Sequence, residues 1–155
     1  MELIIQKAVE LGVYQVIPVA MKRCVVKLDD KKASSKLTRW QGIAEAAAKQ
    51  SKRGIIPQIT KVMTFAQPLE YSRTAQVRLV PYELAEGMDR TREIIEQIQP
   101  GQDIAVFIGP EGGFDEAEIG KVIEAGMQPI TLGKRILRTE TAGMTVLSIL
   151  MYHLE

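Results

Sequence analysis

The chain has 155 residues, 46% of them hydrophobic and 25% charged, and its 20 Lys+Arg against 19 Asp+Glu leave a formal net charge of +1. That is enough apolar content to build a core and too much for a disordered chain, at a length that fits one domain. One cysteine, Cys24, excludes an internal disulfide framework and any site with two cysteine ligands, and one histidine, His153, excludes a multi-histidine metal site within one chain.

The first helix is expected over residues 2–11, with Leu3, Ile4, Lys7, Ala8 and Leu11 on one face and Gly12 in the left-handed position that closes it. Val13 to Val19 reads as a strand stopped near Pro18. The longest helical pattern covers 30–53, where Leu37, Trp40, Ile43, Ala44, Ala47 and Ala48 recur at three- and four-residue spacing before Gly54. A short strand is expected at Gln58–Val62, an irregular stretch around Pro68, a strand at Ala75–Val80 and a helix at about 89–98. Asp103–Ile108 is apolar on both faces and reads as a central parallel strand. The Gly109-Pro110-Glu111-Gly112-Gly113 loop follows, and Asp115 with Glu118 forms a capping-box pattern opening a helix that Gly126 ends. Pro129–Gly133 is a short strand, and about Thr141–Leu154 is an apolar closing helix, with His153 a surface or helix-end residue. The expected class is α/β, a mostly parallel sheet with helices on both faces.

No apolar run reaches the ~20 residues of a membrane span, and the first residues lack the features of a signal peptide, so no membrane role and a cytoplasmic setting are expected. The near-neutral total hides an asymmetry. Between residues 20 and 53, Lys22, Arg23, Lys27, Lys31, Lys32, Lys36, Arg39, Lys49, Lys52 and Arg53 face only Asp29, Asp30 and Glu45, so this window carries +7 and the remainder −6. Such a block is either a solvated helix face or a footprint for a phosphate backbone.

In parallel sheets, ligands bind beyond the C-terminal ends of the strands. Three strand ends carry loops of unusual composition: Val80-Pro81-Tyr82-Glu83, Ile108 to Gly113, and Leu132-Gly133 to Thr141. The Gly109–Gly113 loop has neither the Lys-Ser/Thr ending of a P-loop nor a dinucleotide fingerprint. It is either a tight strand-to-helix turn or a place where a ligand approaches the main chain closely. In Leu137-Arg138-Thr139-Glu140-Thr141-Ala142, Thr139 or Thr141 can cap the closing helix, whereas Arg138 and Glu140 suit anion holding and proton acceptance.

With these stretches in place, the sequence resembles the bacterial ribosomal RNA small-subunit methyltransferase E family of the SPOUT superfamily, which methylates N3 of a uridine in 16S ribosomal RNA using S-adenosylmethionine. The resemblance is carried by Leu3 to Gly12, Arg23-Cys24, Trp40 to Arg53, Ile108 to Phe114, and Leu132 to Ala142. Family members carry an N-terminal β-barrel RNA-binding domain ahead of the stretch that opens this chain, so residues 1–155 resemble the catalytic domain alone. Lys49 stands where the family has an acidic residue before Gln50.

The resemblance implies a C-terminal trefoil knot, a homodimer, and 16S rRNA or the small ribosomal subunit as partner. Together with the strand-end rule it nominates Leu79, Val80, Pro81, Tyr82, Ile108, Gly109, Pro110, Glu111, Gly112, Gly113, Leu132, Gly133, Ile136, Leu137, Thr139, Thr141 and Ala142 around S-adenosylmethionine. Arg23, Gln50, Lys52 and Arg53 are nominated toward RNA, and no metal is implied. For the chemistry, Glu140 is expected to take the N3 proton and Arg138 to steady the uracil oxygens, with Glu111 as the alternative base. Two rival readings remain: a Mg²⁺-dependent nucleotide hydrolase or transferase using Glu111, Asp115 and Glu118, and a non-catalytic RNA-binding scaffold.

Overall fold

Helices and short parallel strands alternate along the chain: α1 (Glu2–Glu10), β1 (Gln15–Val16), β2 (Val19–Ala20), α2 (Asp30–Gln50), β3 (Gln58–Ile59), β4 (Met63–Thr64), α3 (Ala66–Tyr71), β5 (Val77–Pro81), α4 (Met88–Glu96), β6 (Ile104–Val106), α5 (Glu116–Glu124), β7 (Gln128–Ile130) and α6 (Thr139–Leu154). The computed structural model describes residues 1–24, 30–85 and 87–155. Lys27 and Asp29 of the basic window lie outside the described residues, as do the side chains of Asp30 and Lys31.

Every strand pair among the described residues is parallel, in agreement with the expected α/β class. β1 pairs with β3, and β2 with β4. Between Val16↔Ile59 and Val19↔Met63 the second strand carries one extra residue, which makes a bulge. The strand therefore resumes after Pro18 rather than stopping there. Proline has no N–H to donate, yet its carbonyl accepts from Met63 N at 2.9 Å.

In the other sheet the order is β6-β5-β7. Asp103–Ile108 was expected to be central, but the central strand is β5, and β6 lies at the edge of this ladder. Arg78 and Val80 face α5, while Val77 and Leu79 pack toward α4 and α6. That alternation places one apolar cluster on each side of the strand. Pro129 sits in β7 on the opposite edge, where a missing N–H is tolerated.

Two other expectations fail locally. The region around Pro68 is helical: Pro68 lies in the first turn of α3, where its N–H has no intrahelical partner to lose. The α1 face is also different. Ile5, Ala8 and Val9 are buried against Trp40, Ala44, Ala47 and Ala48 of α2, while Leu3 is 50% exposed. Ile5 and Val9 are fully buried, each contributing about 1.5–3 kcal/mol of transfer free energy.

Helix ends follow local rules. After α1, Gly12 (φ +90) closes a Schellman turn with Gly12 N to Val9 O and Val13 N to Ala8 O. After α5, Gly126 (φ +86) repeats it with Ile123 and Val122. After α2 the same pattern falls on Lys52 (φ +58), two residues before the expected Gly54 stop, with Arg53 N bonded to Ala48 O. A non-glycine residue there carries a strain of about 1–2 kcal/mol.

Candidate active site

The C-terminal ends of β5, β6 and β7 lie side by side, and β5 is flanked by strands that follow it in sequence, which is the switch-point arrangement where parallel sheets open a crevice. Pro81 sharpens the opening. The ladder to β6 ends with Phe107 N donating to Leu79 O at 2.9 Å, because Pro81 has no N–H for the next rung. Toward β7 the ladder runs on through Tyr82 N to Ile130 O. Beneath, Phe65, Phe107, Phe114 and Tyr82 form a chain of ring contacts with centroids 5.9–6.3 Å apart.

Three loops leave these ends. Thr139 Oγ1 donates to Gly109 O at 3.1 Å, joining the second loop to the start of α6. Neither Thr139 nor Thr141 caps α6, whose N-cap is Arg138 and whose end carries no side-chain cap. The threonine was free to cap, but the carbonyl of Gly109 lies within its reach and takes its hydroxyl.

The glycine loop is filled by the protein itself. A Cβ on Gly109 would stand 2.9 Å from the Phe114 ring, and one on Gly112 3.0 Å from Arg23 Cβ and 3.1 Å from Arg23 O. Gly113 has φ +70 and would meet Glu83 Oε1 at 3.1 Å. The glycines at 109 and 112 are required by neighbouring protein groups, so a ligand is not needed to explain them. Gly133 is different. It has φ +113 and nothing within 4 Å of its Cβ position, and Ile136 three residues on is 86% exposed.

Segment 21–24 packs across the glycine loop. Arg23 Nη1 donates to Phe114 O (3.2 Å) and Gly112 O (3.4 Å), and Lys22 Nζ donates to Asp115 Oδ2 (3.0 Å). The hydrogen-bonded Lys22 ammonium, aided by the Ala117 N–H, holds the Asp115 carboxyl below its ordinary value. Asp115 and Glu118 complete the expected capping box of α5. Glu118 accepts from Lys22 N (2.9 Å) and Asp115 N (3.2 Å), so Asp115 and Glu118, two of the three carboxylates of the Mg²⁺ reading, are already committed to donors in the protein. Among the described residues no group of three metal-ligating side chains forms.

Of the nominated ligand residues, Leu79 and Val80 have no exposed side-chain surface and belong to the two apolar clusters. They support the site from inside the sheet and do not line it. Pro81, Tyr82, Ile108, Gly109, Pro110, Gly113, Leu132, Gly133, Leu137, Thr139 and Ala142 are half-buried around the mouth, and Glu111, Gly112, Ile136 and Thr141 are exposed. Arg138 is exposed and Glu140 half-buried, and among the described residues neither side chain has a hydrogen bond or ion pair.

The four nominated RNA residues have different surroundings. Arg53 donates to the carbonyls of Val9 (3.1 Å), Gly12 (3.2 Å) and Val13 (2.6 Å), so its guanidinium caps the end of α1. Gln50 borders a groove of about 440 Å³ with Gln6, Lys7 and Glu10. Lys52 is exposed, and Arg23 lies on the glycine loop. His153 Nε2 lies 2.9 Å from Ile98 O at the far end of α6, about 21 Å along the helix from its start, and takes no part in this site. The sequence reading missed Glu83, Lys22 and Glu118 as parts of the site's frame. The only signals for them were a strand-end loop, a basic window and a capping pattern.

Three loops at a switch point of parallel strands, with the Arg138 and Glu140 side chains unpartnered among the described residues, frame the candidate site, and the class follows from the sequence match: residues 1–151 match the model of the RNA methyltransferase domain, and the chain belongs to that family. It is 40% identical over 158 residues to the ribosomal RNA small subunit methyltransferase E of Bacillus subtilis (strain 168), covering 100% of this chain and 62% of that protein. It is also 40% identical over 147 residues to the protein of that name from Mesomycoplasma hyopneumoniae (strain 232), covering 95% and 62%. Among solved structures, the ribosomal RNA small subunit methyltransferase E of Neisseria gonorrhoeae bound to S-adenosyl methionine superposes with a TM-score of 0.86 at 34% identity, covering 99% of this chain and 61% of that one. The chain thus spans about three-fifths of the length of the relatives it matches. Among the described residues no helix is long and apolar enough to cross a membrane.

Proposed function

We propose that this chain is the catalytic domain of an S-adenosylmethionine-dependent methyltransferase acting on N3 of a uridine in 16S ribosomal RNA, alone or within the small ribosomal subunit, in the cytoplasm and without a metal. The observation that carries it is the pair Arg138 and Glu140, whose side chains have no partner among the described residues and stand beside the Gly133 turn. The mouth fits the cofactor: the Gly133 turn leaves the space beside its Cα open, with its N–H and carbonyl bonded to the Thr131 hydroxyl at 3.3 Å, and Pro81, Tyr82, Ile108, Leu132 and Leu137 offer half-buried walls. S-adenosylmethionine supplies an activated methyl group when bound there.

The residues of the chain do the rest. Glu140 takes the N3 proton onto its carboxylate, directly or through one water, which frees the lone pair that forms the new N–C bond as the sulfonium S–C bond breaks. Arg138 holds the uracil oxygens as negative charge develops on them. The walls orient donor and acceptor in line and exclude water. Glu111 is exposed, is not held by the loop's amides, and is the alternative base.

Helix α6 supports a homodimer. It is apolar around much of its circumference yet only Val146 and Leu150 are buried. Thr141, Met144, Thr145, Ser148, Ile149 and Tyr152 line an open groove of about 510 Å³, and Tyr152 is 90% exposed. Such a helix is expected to meet its own copy. The hydrogen bond from Thr139 to Gly109 O fits the trefoil crossing of the two loops.

Calorimetric titration with S-adenosylmethionine in chelator, followed by methylation of 16S rRNA and small subunits with the methyl position mapped, tests the reading. Binding and an N3 methyl are the expected results. A requirement for Mg²⁺ favours the hydrolase reading, and RNA binding with no cofactor binding favours the scaffold.

A further inference from the structure

Glu118 is 8% exposed and uses both carboxylate oxygens on main-chain donors. Its bond to Asp115 N is the ordinary capping-box contact. In an ordinary box the other oxygen needs no partner, but here it accepts from Lys22 N at 2.9 Å, across 96 residues of sequence. The next residue, Arg23, then lies on the Gly112 and Phe114 carbonyls, so close that Gly112 has no room for a side chain. The neighbouring ion pair of Lys22 Nζ with Asp115 leaves the lysine side chain 69% exposed and contributes little.

We propose that Glu118 is a positioning residue for the cofactor loop: by fixing the main chain at Lys22 it seats Arg23 on the loop and sets where Gly109–Gly113 stands. Affinity for the sulfonium cofactor then depends on a buried carboxylate that never touches it. The inference rests on the reading of the crevice given above.

Two measurements on the 155-residue chain test it: residue-resolved amide exchange, and calorimetric titration with S-adenosylmethionine. In Glu118→Gln an amide NH₂ replaces one acceptor, so one main-chain donor faces another donor. Exchange at the Gly113 amide, which donates to Pro110 O, is expected to rise at least tenfold and the cofactor Kd at least tenfold, with α1 and α2 amides unchanged. Arg23→Met keeps the stem over Gly112, removes the guanidinium and is expected to move both readings the same way, which covers the case that Glu118→Gln does not fold. Lys22→Ala keeps the main-chain N–H and is expected to change the Kd less than twofold. Unchanged loop exchange in Glu118→Gln and Arg23→Met overturns the proposal, as does faster exchange with an unchanged Kd, or a Lys22→Ala effect as large as that of Glu118→Gln. A wild-type chain that binds no cofactor overturns the methyltransferase reading instead, and the exchange measurement alone then decides whether Glu118 clamps the loop.

Discussion

Two glycine-bearing loops stand at neighbouring strand ends and behave in opposite ways. In Gly109–Gly113 the missing side chains are replaced by the Phe114 ring and by Arg23, so the loop is packed from within. In the loop after β7, Gly133 faces open space, Ile136 is 86% exposed, and Arg138 and Glu140 have no partners among the described residues. In the first loop glycine marks the close approach of protein groups, and in the second it allows a positive φ beside open space. The packed loop is the frame, and the open one is the proposed point of entry for a ligand.

The sharpest way to break that contrast is Glu140→Gln. A group with no structural partner is removed, so single-turnover methyl transfer should fall by about 10²–10⁴-fold while the melting temperature stays put. A melting temperature that dropped with activity would make Glu140 part of the frame. Next in size, Gly109→Ala drives a methyl into the Phe114 ring and should destabilise by about 1–3 kcal/mol in denaturant titrations. Gly143→Ala in α6 is its control: the only neighbour is Ile108 Cγ1 at 4.0 Å, and the change should be neutral or stabilising by up to about 1 kcal/mol.

A smaller effect follows from Asp115. Its carboxyl titrates lower in the folded chain than the unfolded value of about 3.9, so its stabilisation is complete above that pH and is lost as pH falls through the folded value. Melting curves should show an acid loss below about pH 4 that is weaker in Asp115→Asn. Smallest is Lys52→Gly, outside both loops, which relieves left-handed strain and should raise stability by about 0.5–1 kcal/mol by chemical denaturation.

What was legible in the sequence was local. The alternation of helix and strand, the capping box at Asp115 and Glu118, and the turns at Gly12 and Gly126 rest on residues within a few positions of one another. The buried face of α1 was not legible, because Leu3, Ile4, Ile5, Ala8, Val9 and Leu11 surround the helix and only α2 selects among them. Leu79 and Val80 read as site residues because strand ends bind ligands, but a strand covered on both faces hides both side chains. The functions of Gly112, Arg53 and Arg78 were set by partners far along the chain: Arg23 covers Gly112, Arg53 reaches back to Val9, and Arg78 donates to Ala125 O at 2.8 Å. No spacing rule reports such pairings. Glu140 and Arg138 stood out for the opposite reason, being charged residues with no local duty in the sequence.

The bond from Lys22 to Glu118 also orders events in folding. It closes a loop of 96 residues, so the entropy of closure must be met by contacts made earlier, and β5, β6 and α5 have to be in place before segment 21–24 finds its seat. The frame of the glycine loop is therefore expected to be among the last parts of the chain to assemble and among the first to open. Local unfolding there leaves the α1 and α2 cluster intact.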